Sequence, residues 1–128
     1  ALQECRRVLH PQGWLLVRLP AYRWLWSPHD ELEHTARRYT VGSLRQALEA
    51  AGFRLQRATY ANSLAFPLAI ARRLCQRLAG GPPRLDLTPV PLWANQPLLA
   101  ALLAEAAWIG RQRALPFGLS VMALARPA

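Results

Sequence analysis

The sequence contains no lysine. All of its 16 basic residues are arginines, against 7 acidic residues, which gives a formal net charge of +9. Since both side chains serve equally well as solvated charge, we attribute this usage to genome composition. The arginines are scattered along the chain, whereas nucleic-acid-binding proteins concentrate their charge in one run or on one face. The distribution favours ordinary surface charge and predicts no nucleic-acid partner.

Cysteine is also scarce. Cys5 and Cys75 lie far apart without a short-spaced partner, a pattern that favours buried thiols in a reducing compartment over a disulfide framework. No basic segment leads an apolar run at the start, so we expect no signal peptide. The most apolar segment, 97–110, contains a glutamate and falls short of the roughly twenty residues that span a bilayer. We expect a cytoplasmic protein.

Apolar residues are plentiful, at 52% of 128 residues, which allows one modest domain with a real core. Apolar spacing predicts a helix over 1–9, and "HPQG" at 10–13 stops it. "WLLVRLP" then reads as a strand over 14–19 that is covered on both faces and ends at Pro20. A helix, a turn and a buried strand are half of an α/β unit.

A second helix is predicted to begin at Thr40, an N-cap residue. Its apolar stripe consists of Leu44, Ala47, Leu48 and Ala51. Gly52 stands where a left-handed residue ends a helix.

The remaining segments are predicted as strands and apolar helices. Residues 53–66 are predicted as a strand that alternates at first and is irregular later, with 53–61 at an edge of the sheet. Residues 117–126 are apolar at both parities, as in a central strand. Between them lie two predicted helices, 67–78 and 96–113, joined by a Gly/Pro-rich loop. For the second of these helices, Asn95 is predicted as the cap and Pro97 as a first-turn residue.

Three stretches in this order, "ECRRVLHPQGWLLVRLPA", "YTVGSLRQALEAAGFRL" and "LPFGLSVMALARP", resemble the C-terminal half of a class I S-adenosylmethionine-dependent methyltransferase. Gln12 replaces the first glycine of the family's usual turn. The intervening "P..wLWSpHD...H..RRYT" pattern is similar to a bacterial subgroup linked to envelope or lipid-associated metabolism.

The resemblance implies an α/β fold: the C-terminal portion of a Rossmann-like sheet, with about three mixed strands and covering helices. Its last strand would be antiparallel and central. Residues 1–128 would be a partial domain with a helical insertion at about 67–114. No G-x-G-x-x-G follows a strand. S-adenosyl-L-methionine is therefore expected only in the complete enzyme, and the missing N-terminal half becomes an expected partner.

The polar stretch "SPHDELEHTARRYT" at 27–40 follows the first strand, where open α/β sheets bind ligands. In the resembled subgroup this loop lies on the acceptor side. The substrate-binding candidates carried over from it are His29, Asp30, His34, Arg38 and Tyr39.

This loop leaves several alternatives open. His29 or His34 suits a general base for an acceptor, because an unperturbed imidazole pKa of about 6.5 lies near operating pH. A metal site that includes His29 and Glu33 has little support, since no cysteine is near. Alternatively, Asp30, Arg38 and Tyr39 only hold the loop to the next helix.

Two further features bear on partners. Trp14 is predicted in the core, whereas Trp24 and Trp26 either line an apolar acceptor pocket or cover the sheet edge. The insertion helices, beside Arg72, Arg73 and Arg77, either cover the core or contact an acidic membrane surface.

The expected acceptor is accordingly a small molecule or lipid-linked. The alternative function is a basic binding or interaction module for nucleic acid or a membrane surface, with "TVGSLRQALEAAGF" as part of a helix-turn-helix.

Overall fold

A computed structural model describes residues 1–26, 37–80 and 91–128. Within these residues the chain forms four α-helices and three strands. The helices are α1 (Leu2–Val8), α2 (Val41–Ala50), α3 (Phe66–Ala79) and α4 (Leu92–Gly110). The strands are β1 (Leu15–Pro20), β2 (Phe53–Ala61) and β3 (Ser120–Pro127), and a 3-10 turn spans Arg23–Leu25. The predicted order of elements is confirmed.

The three described strands form one sheet in the order β1-β3-β2. The last strand is central, as predicted, and it pairs antiparallel with both neighbours. The expectation of a mixed sheet is wrong for these strands. Strands β1 and β2 run in the same direction, but β3 lies between them, so they do not pair with each other. The observed architecture is α/β with an antiparallel three-stranded sheet.

The core lies between α2 and one face of the sheet. Leu44 and Leu48 of α2 are fully buried against Phe53 of β2 and Val121 of β3. Helix α1 packs against the same cluster with partly buried side chains. The predicted stripe of α2 is therefore confirmed at Leu44, Leu48 and Ala51, whereas Ala47 lines a cleft.

Local sequence signals set both ends of α2. The Thr40 hydroxyl accepts the Ser43 backbone N–H at 3.2 Å, and the Ser43 hydroxyl accepts the Thr40 N–H at 2.9 Å. This reciprocal pair is a capping box. Gly52, at φ 82°, follows the helix in the left-handed region. Because β2 begins at the next residue, a strand stands where a helix-turn-helix would need its recognition helix.

Strand β1 is covered on one face only, which corrects the prediction for both faces. Leu16 is 64% exposed, whereas Val17 packs against the core. Trp14 is also exposed rather than in the core. Its ring lies 3.5 Å from the guanidinium carbon of Arg126, a cation–π contact that needs no burial. The reason is that α1 and α2 both pack against the opposite face.

Helix α4 begins earlier than predicted. The Asn95 N–H donates to the Pro91 carbonyl at 2.9 Å, so Asn95 lies inside the first turn and is not the cap. Pro91, with an extended backbone (ψ 143°), precedes the helix instead. Pro97 is inside α4. No helix in the described part of the chain combines the length and apolar content that crossing a bilayer requires.

Both cysteines are free thiols, but their surroundings differ. Cys5 is partly buried beside the core, and Cys75 is exposed on α3. The prediction of a buried thiol is therefore wrong for Cys75, because the side of α3 that carries it faces solvent.

Candidate functional site

The candidate site lies where β1 and β2 end. Since both strands are antiparallel to β3, their carboxyl ends meet at the same edge of the sheet. Each strand is followed closely by a non-glycine residue with positive φ, Tyr22 at 56° and Asn62 at 61°. Such backbone strain persists where the surrounding structure fixes it, and it is frequent at binding sites. Ligands of open α/β sheets also bind at this edge.

Five aromatic rings gather at this edge, and we call them the aromatic cluster. Its members are Tyr22, Trp24, Tyr60, Phe66 and Phe117. Tyr22 stacks on Tyr60 with ring centroids 5.2 Å apart and planes 14° from parallel. Trp24 is 58% exposed and Phe117 is 42% exposed. The cluster thus has a packed interior and an open apolar rim.

Two phenol groups meet inside the aromatic cluster. Burial, followed by the hydrogen bond with Tyr60, raises the pKa of the Tyr22 hydroxyl above its ordinary value of 10.0. The Gly118 backbone N–H donates to the same oxygen, which opposes the shift. The Tyr60 hydroxyl also accepts the Val41 N–H at 3.3 Å. Tyr22 therefore stays protonated at neutral pH and serves as a hydrogen-bond donor rather than a base.

The loop after β2 is held by a buried acid. One carboxylate oxygen of Glu105, from α4, accepts the Ser63 N–H at 2.8 Å, and the other accepts the Asn62 N–H. The Ser63 hydroxyl donates to the Phe117 carbonyl, which ties the loop to the segment leading into β3. Glu105 and Ser63 are both buried. The site therefore has a fixed wall built from three parts of the chain.

The far end of α4 is fastened to β2 as well. The Arg57 guanidinium donates to the carbonyls of Ile109 at 2.8 Å and Arg113 at 3.2 Å. The Leu115 N–H donates to the Thr59 hydroxyl at 2.8 Å. A cation at the last carbonyls of a helix also complements its dipole. The last turn of α4 and the segment that follows it are thus held to β2 by side-chain hydrogen bonds.

Arg38 and Tyr39, both predicted as substrate-binding residues, lie beside β1. The Arg38 guanidinium donates to the Ala21 carbonyl at 2.9 Å. The Tyr39 backbone N–H donates to the Pro20 carbonyl at 2.9 Å, and its carbonyl accepts the Tyr22 N–H at 3.0 Å. These bonds join Arg38 and Tyr39 to the end of β1 and not to the next helix, which is where the alternative placed them. Contact of either side chain with substrate stays a prediction.

A cleft of about 950 Å³ opens next to these residues. It is lined by Arg23, Trp26, Arg37, Arg38, Tyr39, Ser43, Gln46 and Ala47. Arginine guanidinium groups with an indole and polar side chains suit a ligand that has an anionic group and an apolar part.

The other predicted site residues, His29, Asp30 and His34, lie outside the described residues, as does Glu33 of the metal alternative. Residues 1–26, 37–80 and 91–128 contain no group of three or more potential metal ligands.

Several site residues were not found from the sequence. The sequence does not indicate that Tyr22 stacks on Tyr60, because this contact joins segments that are far apart in the chain. The position of Glu105 in the sequence does indicate that its carboxylate is buried. It is the only acid in an apolar helical segment, and a carboxylate there is expected to be paired and buried.

The chain was also compared with known proteins. No family model matches the sequence, and no curated protein matches it.

Proposed function

We propose that this chain is the acceptor-side half of an S-adenosylmethionine-dependent methyltransferase that acts on a small-molecule or lipid-linked acceptor. One observation carries the proposal: antiparallel β3 lies between β1 and β2, which run in the same direction. Consecutive strands usually pair with each other, so insertion of the last strand between two earlier ones is a distinctive topology. The resembled family has the same arrangement at the end of its sheet.

The acceptor would bind at the carboxyl ends of β1 and β2. The open rim of the aromatic cluster, Trp24 and Phe117, offers an apolar surface to the acceptor. The neighbouring arginine-lined cleft would hold an anionic group of the same acceptor. Because burial raises the pKa of Tyr22, a base would have to come from elsewhere, and His29 and His34 remain the candidates.

The start of α2 does not fit the methyl donor. Dinucleotide-like cofactors bind to free backbone N–H groups at a helix start after a Gly-rich turn. At the start of α2 those groups are engaged, since the Val41 N–H donates to Tyr60 and the Ser43 N–H donates to Thr40. We therefore assign cofactor binding to residues beyond this sequence and derive no reaction step through the cofactor.

The test compares this chain with a longer one. The purified 128-residue chain is titrated with S-adenosylmethionine by calorimetry, and the same titration follows on a chain extended with the upstream genomic reading frame. We expect no micromolar binding, which corresponds to about 8 kcal/mol, to the short chain and clear binding to the long one.

Micromolar binding to the short chain would show that it is a self-sufficient domain. An upstream reading frame without a strand followed by a Gly-rich loop would remove the methyltransferase assignment.

A further inference from the structure

Helix α4 places its charge inside and its apolar side chains outside. Glu105 is its only ionisable residue, and it is 7% exposed and bonded to the loop after β2. Leu92, Leu99 and Leu103 are among its exposed residues. They fall on one side of the helix at helical spacing. A helix that is apolar all round is normally covered by other groups.

Helix α3 has a comparable outer side. Leu68, Leu74 and Leu78 are exposed, and its charged residues are arginines only. Exposed Arg72 and Arg77 flank the exposed leucines. Thus neither helix presents an acidic side chain outward, and the exposed surface combines leucine with arginine.

The two ends of α4 add a further signature. Trp93 lies in its first turn and Trp108 in its last, and both are exposed. The Arg113 guanidinium carbon lies 4.6 Å from the centroid of the Trp108 ring, and exposed Arg111 follows the helix. Indole rings favour the boundary between lipid headgroups and acyl chains, and adjacent arginines favour anionic headgroups.

We infer that the outer faces of α3 and α4 bind the surface of an anionic lipid bilayer, with α4 lying in the interface and not crossing it. Apolar area drives shallow insertion of such a face, and the arginines select negative headgroups. A second copy of the chain is a poorer occupant, because the exposed charged residues of α3 are arginines, which would repel those of the other copy across the contact.

The experiment measures partition of the full chain onto vesicles by flotation. One set of vesicles is pure phosphatidylcholine, and the other contains phosphatidylglycerol at about 30 mol%. Leu103→Glu tests the apolar face. Leu16→Glu on β1 is its matched control, because Leu103 is 62% exposed and Leu16 is 64% exposed. A double variant, Arg111→Gln with Arg113→Gln, tests the charge while leaving every leucine in place.

We expect the wild-type chain to bind the anionic vesicles and to be released by raised salt. Leu103→Glu should lower the partition coefficient at least about tenfold, and the arginine variant should lower it several-fold. Leu16→Glu should bind as the wild-type chain does. Circular dichroism of each variant checks that it is folded.

Three results would overturn the inference. The first is a wild-type chain that stays unbound to the anionic vesicles. The second is equal loss of binding in Leu16→Glu and Leu103→Glu. The third is sedimentation of the wild-type chain as an oligomer that Leu103→Glu dissociates, without vesicle binding, which would assign the face to a second copy.

Discussion

The carboxylate of Glu105, on α4, accepts a hydrogen bond from the backbone N–H of Ser63, 2.8 Å away beyond the end of β2. A buried carboxylate is costly unless its oxygens are hydrogen-bonded. This one has backbone donors from consecutive residues, Asn62 and Ser63. Helix α4 and the loop at the candidate site are therefore held as one unit, and a change in either is expected to move the other.

Removal of this carboxylate should destabilise the fold. Glu105→Ala leaves buried N–H groups without an acceptor, and we expect a loss of about 2–4 kcal/mol in the free energy of unfolding. Urea denaturation measures the loss, and amide hydrogen exchange should become faster at Ser63. Glu49→Ala, which removes an exposed acid of α2, should change stability by less than about 0.5 kcal/mol. Equal effects of the two variants would contradict the assigned role.

Gly118 is required by close approach of two backbones. A Cβ at this position would lie 2.2 Å from the Ala61 carbonyl oxygen. Gly118→Ala should therefore cost about 3 kcal/mol, because the start of β3 must move away from β2. Gly42→Ala, in α2, is the matched control, since its Cβ would lie 3.9 Å from the Thr40 hydroxyl oxygen, an ordinary contact distance. Alanine there should be neutral or stabilising by up to about 1 kcal/mol. Thermal unfolding of both variants tests the difference, and a tolerated Gly118→Ala would contradict the packing.

Tyr22 should make stability depend on alkaline pH. Its folded-state pKa is raised above 10.0, chiefly by burial. Below pH 10 the Tyr22 hydroxyl keeps its proton in both the folded and the unfolded chain. Above it the unfolded chain releases the proton while the folded chain retains it, so the free energy of unfolding falls as pH rises.

Tyr22→Phe isolates this effect. At pH 7 the variant should be less stable than the wild-type chain by about 1 kcal/mol, because hydrogen bonds are lost. The difference should narrow toward pH 11, since the variant lacks the titrating group. Urea denaturation across this range provides the measurement. If the difference in the free energy of unfolding between the two proteins stays constant or widens, burial does not raise the pKa of Tyr22.

The predicted roles of Arg38 and Tyr39 can be tested in the chain extended with the upstream reading frame. Arg38→Ala and Tyr39→Phe should each lower turnover or acceptor affinity several-fold, while affinity for S-adenosylmethionine stays nearly unchanged. Tyr39→Phe is the cleaner variant, because the Tyr39 backbone bonds to Pro20 and Tyr22 remain in place. Calorimetry with the cofactor and a methyl-transfer assay provide the measurements. Equal loss of cofactor affinity would count against an acceptor-side role. The control is Arg45→Ala, which changes an exposed residue of α2.

The elements that depend on local interactions could be predicted from the sequence. Thr40 and Gly52 delimit α2, and Leu44 and Leu48 mark its core face, because capping and helical periodicity act within a few residues. The central position of the last strand also followed from its apolar residues at both parities. The cap of α4 could not be located in this way, since Asn95 and Pro91 both precede apolar residues and only the backbone distinguishes them.

The features that join distant segments were decided by tertiary structure alone. The sequence marks Glu105 as an acid in an apolar helix, but its partner Ser63 lies 42 residues away, and no local pattern selects among distant donors. Tyr22 and Tyr60 stack because β1 and β2 end at one edge on either side of β3, a placement that depends on how the whole sheet pairs. The exposure of Leu16 has the same origin. An apolar run indicates that both faces of a strand can be buried. Which face is buried depends on where the helices pack.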